Sequence, residues 1–285
     1  RQFESGNHPG FGAHGKTHNY KIHCPQNLMK TQKIIILTGN DYRHQFFMHH
    51  LNAKFSISEI YIEKCVYPCP CPQSKEESIA WDWFFQRRDR YEKKLVLESG
   101  QLLSKNQPRR TYLDEGELNS PHTIIKINKT NPGFIAVFGA GILREPFLKK
   151  FSNRLFNLHI GDPEIYRGSS CSFWPIYQGK LQDMSATIHR IDQGVDTGDI
   201  LSKQTITMSK EDNEQTLLLK SLKLGTKLMT KTIKNWQIGT LQSIPQNRSG
   251  KLYKKADFTP KAVLKVKQMV ESGRLKNFIQ EEMRN

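Results

Sequence analysis

The feature that most constrains the fold is a short, continuous apolar run that begins after Lys33. The run reads Lys33-Ile-Ile-Ile-Leu-Thr38, and Gly39-Asn-Asp41 ends it. β-Branched residues without polar alternation are typical of a strand that is buried on both faces of a parallel sheet. A helix over 42–51 and a second strand over 57–62 complete a β-α-β unit. We therefore predict an α/β fold with a doubly wound sheet.

The rest of the chain agrees with this fold class. An aromatic helix over 76–97 is predicted to bury Trp81, Phe84, Phe85 and Tyr91 at helical spacing. Strands are predicted over 123–127, 134–138, 154–160 and 186–191, the last alternating as an edge or antiparallel strand does. Helices follow over 213–236, over 260–270 and near residue 275. We expect a Rossmann-like, mostly parallel sheet in a main domain over 33–240, with a short helical extension over 241–285.

The first 28 residues read differently from the rest. The chain opens at Arg1, and Met29 stands just before the first predicted strand. We expect residues 1–28 to be a disordered or non-native leader, with Met29 as the start. They contain no apolar stretch of the kind that a secretory signal needs. No apolar run in the chain approaches the roughly 20 residues of a membrane span, so a cytoplasmic protein is predicted.

Charge and cysteine content limit the partners. The net charge is +16, but the basic residues are scattered, with thickenings on predicted helices that are expected to be solvated faces. Direct nucleic-acid binding is therefore not expected, whereas an anionic small substrate fits. Five cysteines without a signal sequence indicate reduced thiols. Cys65, Cys69 and Cys71 lie in a proline-broken loop without paired Cys-x-x-Cys spacing, so no metal is predicted there.

Two polar groups stand together on one predicted strand. Asn157 and His159 point to the same side, because residues i and i+2 of a strand share a face. They lie near the carboxyl end, where open α/β sheets bind ligands. A glycine-rich loop downstream brings Asp192 and Asp196, after a strand that carries His189. Groups of this kind, held within hydrogen-bond reach, suit acid–base chemistry.

These segments resemble a known family. The run Asn157-Leu-His-Ile-Gly-Asp-Pro-Glu-Ile-Tyr-Arg-Gly168, followed by Val195-Asp-Thr-Gly-Asp-Ile-Leu201, is similar to the 10-formyltetrahydrofolate-dependent formyltransferases. That family includes the glycinamide ribonucleotide, methionyl-tRNA and amino-sugar enzymes. The resemblance extends over about residues 33 to 236. It implies a formyltransferase catalytic domain that uses 10-formyltetrahydrofolate as formyl donor.

The resemblance also implies roles for individual residues. Asn157, His159 and Asp196 would form the catalytic trio. Asn157 would donate to the developing oxyanion, a protonated His159 would be a second donor, and Asp196 would raise the imidazolium population and relay the amine proton. No metal is needed for this chemistry. Arg144 or Arg167 would meet an anionic acceptor. The folate would be held by Gly141, Ile142, Leu143, Arg144, Asp192 and Val195.

Within the family the acceptor stays open. A small, phosphorylated amine is expected, with a nucleotide-linked amino sugar favoured and phosphoribosylglycinamide as the alternative. A methionyl-tRNA acceptor is disfavoured, because the residues after Trp236 do not read as the β-barrel domain of those enzymes. Outside the family, Val195-Asp-Thr-Gly198 also matches an aspartic protease string, and the basic charge allows a nucleic-acid-binding module. Homodimerisation is left open.

Overall fold

The computed structural model describes residues 33–64, 70–100 and 104–284. The predicted leader over 1–28, Cys65 and Cys69 lie outside the described residues, and Cys71 is exposed. Across the described ranges, the strands are β1 (Lys33–Thr38), β2 (Ile57–Glu63), β3 (Arg109–Leu113), β4 (Pro132–Phe138), β5 (Leu155–His159), β6 (Tyr166–Gly168), β7 (Ser185–Arg190), β8 (Ile200–Thr205) and β9 (Lys251–Tyr253).

The helices complete the element order. They are α1 (Tyr42–Lys54), α2 (Lys75–Gly100), α3 (Pro121–Thr130), α4 (Phe147–Lys150), α5 (Phe173–Gln178), α6 (Glu214–Gln237), α7 (Pro260–Glu271) and α8 (Arg274–Glu282). No helix among the described residues combines the length and the apolar character that crossing a bilayer requires.

Seven of the strands form one sheet in the order β3-β2-β1-β4-β5-β7-β8. The first five are parallel, and β7 and β8 are antiparallel to their neighbours. The chain leaves β1 toward one edge and returns to β4 on its other side, so the strand order reverses between β1 and β4. This arrangement confirms the predicted α/β, doubly wound and mostly parallel sheet.

Both faces of the sheet are buried, which explains the unbroken apolar run in β1. Ile34 and Ile36 face α1 and α6, where they join Phe47, Leu51 and Met229 in one core cluster. Ile35 and Leu37 face the opposite side, where α3 and the segment around Phe147 cover them. A third cluster lies away from the sheet and joins α7 and α8 to the start of α2 and to α5. The helical C-terminal region therefore packs on the main domain.

The strand predicted over 123–127 is wrong, because these residues belong to α3. The Ser120 hydroxyl caps the helix by accepting from the Thr123 N–H at 3.2 Å, and Pro121 occupies the first turn, where its missing N–H costs nothing. The buried residues are spaced as in a helix, and Ile125 is exposed. Capping and tertiary burial thus outweigh the β-propensity of the isoleucines.

Several short strands were not anticipated. β3 reads Arg-Arg-Thr-Tyr-Leu at one edge of the sheet, and β8 covers β7, so the antiparallel strand over 185–190 is not an edge. β6 and β9 form a separate two-stranded parallel sheet. Three residues are too few to show a periodic pattern, so only the pairing identifies them.

Candidate active site

Strand β5 carries two of the predicted residues to the carboxyl edge of the sheet. It lies between β4 and β7, with Asn157 opposite Val137 on one side and His189 on the other. The apolar residues Phe156 and Leu158 point into the core below α6. Asn157 and His159 point the other way, as the sequence predicts. His159 is 5% exposed, and Asn157 is only partly buried.

The third predicted residue joins them from the downstream loop. The Asp196 carboxylate Oδ2 lies 3.4 Å from Nδ1 of His159, and Oδ1 lies 3.4 Å from Nδ2 of Asn157. The Gly168 backbone N–H donates to Oδ2 at 2.8 Å. Asp196 has a φ of 53°, the left-handed region that a non-glycine residue rarely adopts. Such backbone geometry is concentrated at functional sites, where the surrounding contacts impose it.

His189 is a fourth member of this group; the sequence named it among the groups that suit acid–base chemistry but not in the catalytic trio. It comes from β7, is almost fully buried, and its Nε2 lies 3.3 Å from Asp196 Oδ1 and 3.1 Å from Asn157 Nδ2. What brings it into the site is its pairing opposite Asn157, which depends on the register between β7 and β5. Register is a tertiary property that spacing alone does not give.

The hydrogen bonds on the far side of each imidazole define the proton positions. Nε2 of His159 lies 2.9 Å from the Tyr166 carbonyl oxygen, and Nδ1 of His189 lies 2.6 Å from the Arg190 carbonyl oxygen. A carbonyl oxygen only accepts, so each of these nitrogens carries its proton. In the neutral rings, Nδ1 of His159 and Nε2 of His189 therefore turn lone pairs toward Asp196. The group is arranged to take up one proton beside an anionic carboxylate.

Burial and charge act in opposite directions on these groups. Burial lowers the pKa of His159 more than the Asp196 charge raises it, so the net pKa lies below that of a free imidazole. Burial opposes ionisation of Asp196, but the charges of His159 and His189 in their protonated forms, the bond that a protonated His189 donates and the Gly168 N–H outweigh it, so the Asp196 pKa is well below its usual value. The Asp196 charge acts on His159 as predicted, yet the free protein holds the ring mainly neutral.

The same donor set has the chemistry of a metal site. His159, His189 and Asp196 each offer one ligand atom, and these atoms lie within 4.8 Å of one another. Two imidazoles whose outer N–H groups donate to backbone carbonyls are the usual second-sphere arrangement of metal-bound histidines. The proton-transfer chemistry above uses the same lone pairs without a metal, and the sequence-based expectation of a metal-free site stays a prediction.

The predicted folate loop follows β4 and is held by side chains from neighbouring elements. The Gly141 N–H donates to the buried Glu63 carboxylate at 2.6 Å, and the Arg144 N–H donates to Asn119 at 2.7 Å. Ile142 is 63% exposed, whereas Leu143 is 7% exposed and packs in the core beside Phe147. Ile142 is thus available as an apolar wall, and Leu143 could contribute through its backbone alone.

The two other predicted folate contacts lie on the loop that carries Asp196. Asp192 accepts from the Thr197 hydroxyl at 2.6 Å and from the Gly194 N–H at 3.1 Å, and Arg248 approaches it at 3.3 Å. These contacts shape the loop, and the neighbouring Val195 is 37% exposed. Arg144 is exposed. The Arg167 guanidinium donates to the Gly250 carbonyl at 2.7 Å, which gives it a structural partner in addition to any acceptor.

Comparison with known proteins places this site in a family context. A family model described as "Formyl transferase" matches residues 90–233, which contain all four members of the cluster. A methionyl-tRNA formyltransferase from Caldanaerobacter subterraneus subsp. tengcongensis is 32% identical over 135 residues, covering 47% of this chain and 43% of the relative. The chain thus spans about two fifths of the length of this curated relative.

Solved structures share the fold. An N-formyltransferase from Helicobacter canadensis, in complex with folinic acid and dTDP-3-aminofucose, superposes with a TM-score of 0.51 and 17% identity, covering 80% of this chain and 72% of the other. A phosphoribosylglycinamide formyltransferase from Anaplasma phagocytophilum has a TM-score of 0.52 and 14% identity, with coverage of 78% and 98%. At these identities the similarity concerns the fold alone.

Proposed function

The chain belongs to the formyl transferase family, and from this we propose that it transfers a formyl group from 10-formyltetrahydrofolate to the primary amine of a small, phosphorylated acceptor. The single observation that carries the proposal is the cluster of Asn157, His159, His189 and Asp196 at the carboxyl edge of the sheet. It combines an amide N–H donor with a neutral imidazole and an ionised carboxylate in mutual contact. Acyl transfer to an amine needs an oxyanion donor and a proton carrier.

Asn157 would be the oxyanion donor. When bound, the folate supplies the formyl carbon that the amine lone pair attacks, and the carbonyl oxygen then gains negative charge. The Asn157 Nδ2 lies 3.1 Å from His189 Nε2, which fixes one of its two N–H groups, and its contact with Asp196 is longer, at 3.4 Å, so the second N–H of this partly buried amide would turn to the oxyanion. A donor held in place before the reaction costs no reorganisation when the charge develops.

His159 and Asp196 would handle the proton. The attacking amine must lose one proton, and the departing folate nitrogen must gain one as the carbon–nitrogen bond breaks. The lowered pKa of His159 provides a neutral ring that can accept, and Asp196 at 3.4 Å stabilises the imidazolium that forms. We therefore propose His159 as base first and acid second, which extends the role of donor when protonated that the sequence suggested.

The exposed apolar side chains near the cluster fit a folate ring. Ile142 is exposed on the loop after β4, and Val195 is exposed next to Asp196 on the loop after β7. Exposed aliphatic side chains that flank a polar site are typical of ligand walls. Gly141, Ile142, Leu143, Arg144, Asp192 and Val195 remain our proposed folate contacts, with Leu143 acting through its backbone.

The acceptor is proposed from charge and from the C-terminal region. A net charge of +16 and the exposed Arg144 favour a phosphorylated amine. Residues after α6 form β9, α7 and α8, and Val263, Val266 and Ile279 bury themselves against the main domain. We favour a nucleotide-linked amino sugar, with phosphoribosylglycinamide as the alternative. The 32% identity to a methionyl-tRNA formyltransferase supports an aminoacyl-tRNA as a second candidate.

The competing classes lack support at the site. An aspartic protease needs a second carboxylate beside the first, whereas the contacts of Asp196 are two imidazoles, an amide and a backbone N–H. The exposed lysines of α6, namely Lys223, Lys227, Lys231 and Lys234, follow helical spacing on its outer face. They behave as the solvated face that the sequence predicted.

A panel assay tests the reaction and its acceptor. Purified protein is incubated with 10-formyltetrahydrofolate and, separately, with a nucleotide-linked amino sugar, phosphoribosylglycinamide, methionyl-tRNA and simple amines. We expect tetrahydrofolate and a product heavier by one formyl group with the nucleotide-linked amino sugar. Formylation of methionyl-tRNA alone would replace our acceptor with the second candidate. Release of tetrahydrofolate with no amine product anywhere would contradict the transferase proposal.

Substitution of the trio tests the residue roles. Asn157→Ala removes one oxyanion donor and is expected to lower the single-turnover rate by about 10²–10³. His159→Ala should lower the single-turnover rate at least as much. Asp196→Asn should also lower this rate, with little change in folate affinity, because the substitution removes the charge and keeps the shape of the side chain. The effects should be non-additive, since these residues act as one unit. Rapid-quench measurement at saturating substrates gives the rates.

A core variant is the matched control. Phe84 is buried in the cluster between α2, α5 and the C-terminal helices and takes no part in the contacts that join the four side chains of the catalytic group. Phe84→Leu should lower the melting temperature while the folded fraction keeps its turnover rate. Near-normal rates in both His159→Ala and Asp196→Asn would refute the mechanism proposed for the cluster.

A further inference from the structure

A short strand supplies the backbone contacts of two catalytic side chains. In β6, the Tyr166 carbonyl oxygen accepts from His159 Nε2 at 2.9 Å, and the Gly168 N–H donates to Asp196 Oδ2 at 2.8 Å. These contacts fix the outer nitrogen of the imidazole and one oxygen of the carboxylate. The position of β6 therefore sets the geometry between His159 and Asp196.

The opposite edge of β6 is bound by a strand from the C-terminal region. The Lys251 N–H donates to the Ile165 carbonyl at 2.9 Å, and the Ser169 N–H donates to the Tyr253 carbonyl at 2.8 Å. In a strand, backbone groups of successive residues point to alternate edges. The backbone groups of residues 166 and 168 thus bond to the catalytic side chains, while those of residues 165 and 169 bond to β9. One strand connects the two.

Further contacts extend along residues 244–253, which we name the C-terminal brace. Gln246 Nε2 donates to the Gly198 carbonyl at 2.6 Å, beyond Asp196 on its loop. The Asn247 N–H donates to Glu164 at 2.8 Å, on the loop that precedes β6. The brace therefore bonds both to the loop of Asp196 and to the loop before β6, which follows His159.

Gly168 shows how closely the brace fits. Its φ is 88°, a conformation that glycine adopts readily, and a Cβ at this position would collide with the Tyr253 carbonyl oxygen. The aromatic side chain of Tyr253 stacks on Trp174, with ring centroids 4.3 Å apart, and its hydroxyl accepts from Gln178. The brace is thus anchored in the same cluster that buries α7 and α8.

We propose that the C-terminal brace is a positioning element of the active site, in which β9 holds β6 so that its Tyr166 carbonyl and Gly168 N–H align His159 with Asp196. This deepens the proposed formyl transfer and rests on it for its kinetic test. Residues 241–285 are predicted as an extension of the catalytic domain. Under this proposal, the brace at residues 244–253 is part of the catalytic domain itself.

A pair of proline variants tests the backbone role. Lys251→Pro removes the N–H that bonds to Ile165, whereas Leu252→Pro removes an N–H on the alternate edge, which faces away from β6 in this register. Lys251→Ala keeps the amide and loses only the side chain. Melting temperature and circular dichroism establish that each variant is folded, and steady-state assays give kcat and KM for the folate and the amine.

We expect kcat of Lys251→Pro to fall about 10²-fold, because a misplacement of about 1 Å in a catalytic site has an effect of that order. The KM for the folate should stay close to that of the wild type, and Leu252→Pro and Lys251→Ala, which keep the bond to Ile165, should lose much less kcat than Lys251→Pro. The acid limb of the kcat profile, which reports protonation of the His159 base, should move to higher pH, because the Gly168 N–H no longer offsets the Asp196 charge that raises the His159 pKa. A folded Lys251→Pro with the kcat of Leu252→Pro overturns the proposal.

Two further measurements keep the test decisive. If Lys251→Pro does not fold, Gln246→Ala removes one side-chain bond to the Asp196 loop and should lower kcat about fivefold, the equivalent of about 1 kcal/mol for a hydrogen bond. An unchanged kcat there contradicts the brace. If the wild type transfers no formyl group, the proposed function fails, and imidazole NMR titration decides the brace: the His159 titration must shift in Lys251→Pro but not in Leu252→Pro.

Discussion

At the scale of single residues, the site depends on what surrounds Asp196. Its carboxylate would gain little from one exposed partner, but here two buried imidazoles, an amide and a backbone N–H converge on it. The left-handed backbone at this position costs free energy that these contacts must offset. His189 has a distinct place in this group, because its Nε2 is the acceptor that holds the Asn157 amide.

Replacing His189 tests that role. His189→Leu removes the acceptor for Asn157 Nδ2 and leaves a side chain of similar apolar volume in a buried position. We expect kcat to fall about tenfold, less than for Asn157→Ala, because the amide is kept but is no longer oriented. Combining His189→Leu with Asn157→Ala should add little to the loss from Asn157→Ala alone, because both changes act on one donor.

The control is a histidine with similar chemistry outside the site. His49 on α1 contacts the Ser99 hydroxyl at 3.3 Å, and His49→Leu should leave kcat unchanged. Fully additive losses in the double variant would show that His189 does not act through Asn157.

At the scale of elements, the contact of α6 with β5 fixes the position of the strand that carries Asn157 and His159. Gly225 on α6 faces Leu158 and Ala186, and a Cβ there would collide with the Leu158 side chain. Leu158 lies between Asn157 and His159, so its contacts in the core on the α6 side hold β5 in place. The close approach of the helix backbone is what lets both polar groups stand at the sheet edge.

Gly225→Ala tests this packing. The added methyl must displace Leu158 or α6, and overpacking of a well-filled core typically costs about 1–3 kcal/mol. We expect a lower melting temperature together with a reduced kcat, because β5 carries the catalytic side chains.

Gly100→Ala at the end of α2 provides the matched substitution. No atom of the described residues lies within 4 Å of a Cβ at that position, so stability and kcat should be kept. Equal melting temperatures for the two alanine variants would show that α6 can withdraw from β5 without cost.

At the scale of the whole molecule, histidines with lowered pKa values link stability to pH. Burial lowers the pKa of His44, with Arg43 and Arg88 acting in the same direction. Burial also lowers the pKa of His50 to about 4, assisted by the charges of Lys54 and Lys227. His159 has a lowered pKa for the reasons given above. In the unfolded chain all three rings titrate near the ordinary value of about 6.5.

The sign of the effect follows from proton binding. Between about pH 6.5 and the lower folded-state pKa values, the unfolded chain binds more protons than the folded protein, so stability rises with pH. We expect the melting temperature to fall as pH is lowered from 6.5 to 4. The depressed pKa of Asp196 adds a stabilising contribution that is present above about pH 4 and is lost only as pH falls through its folded pKa.

A substitution identifies one contributor. His50→Gln should make the dependence shallower over this range, whereas His122→Gln, at an exposed position, should give the wild-type curve. A melting temperature that is constant from pH 6.5 to 4 would contradict the lowered pKa values of these histidines in the folded protein.

The sequence by itself determined the features that depend on local pattern. The apolar run of β1 predicted the fold class. The shared face of Asn157 and His159 predicted a polar site at the sheet edge, and these residues together with the Asp196 segment gave the family resemblance. The structure brings these three residues into contact. The fold class and the shared face rest on a fixed backbone period, and the place of Asp196, 39 residues after Asn157, rests on the family resemblance.

Tertiary structure decided what depends on pairing and burial. Thr123 to Ile127 became helical because the Ser120 cap and the core selected it. His189 entered the site through the register of β7 on β5, and β9 reached β6 from more than eighty residues away. The balance between burial and charge on His159 likewise exists only in the folded protein. Register, desolvation and long-range hydrogen bonds have no local sequence period, so they appear only when the chain is folded.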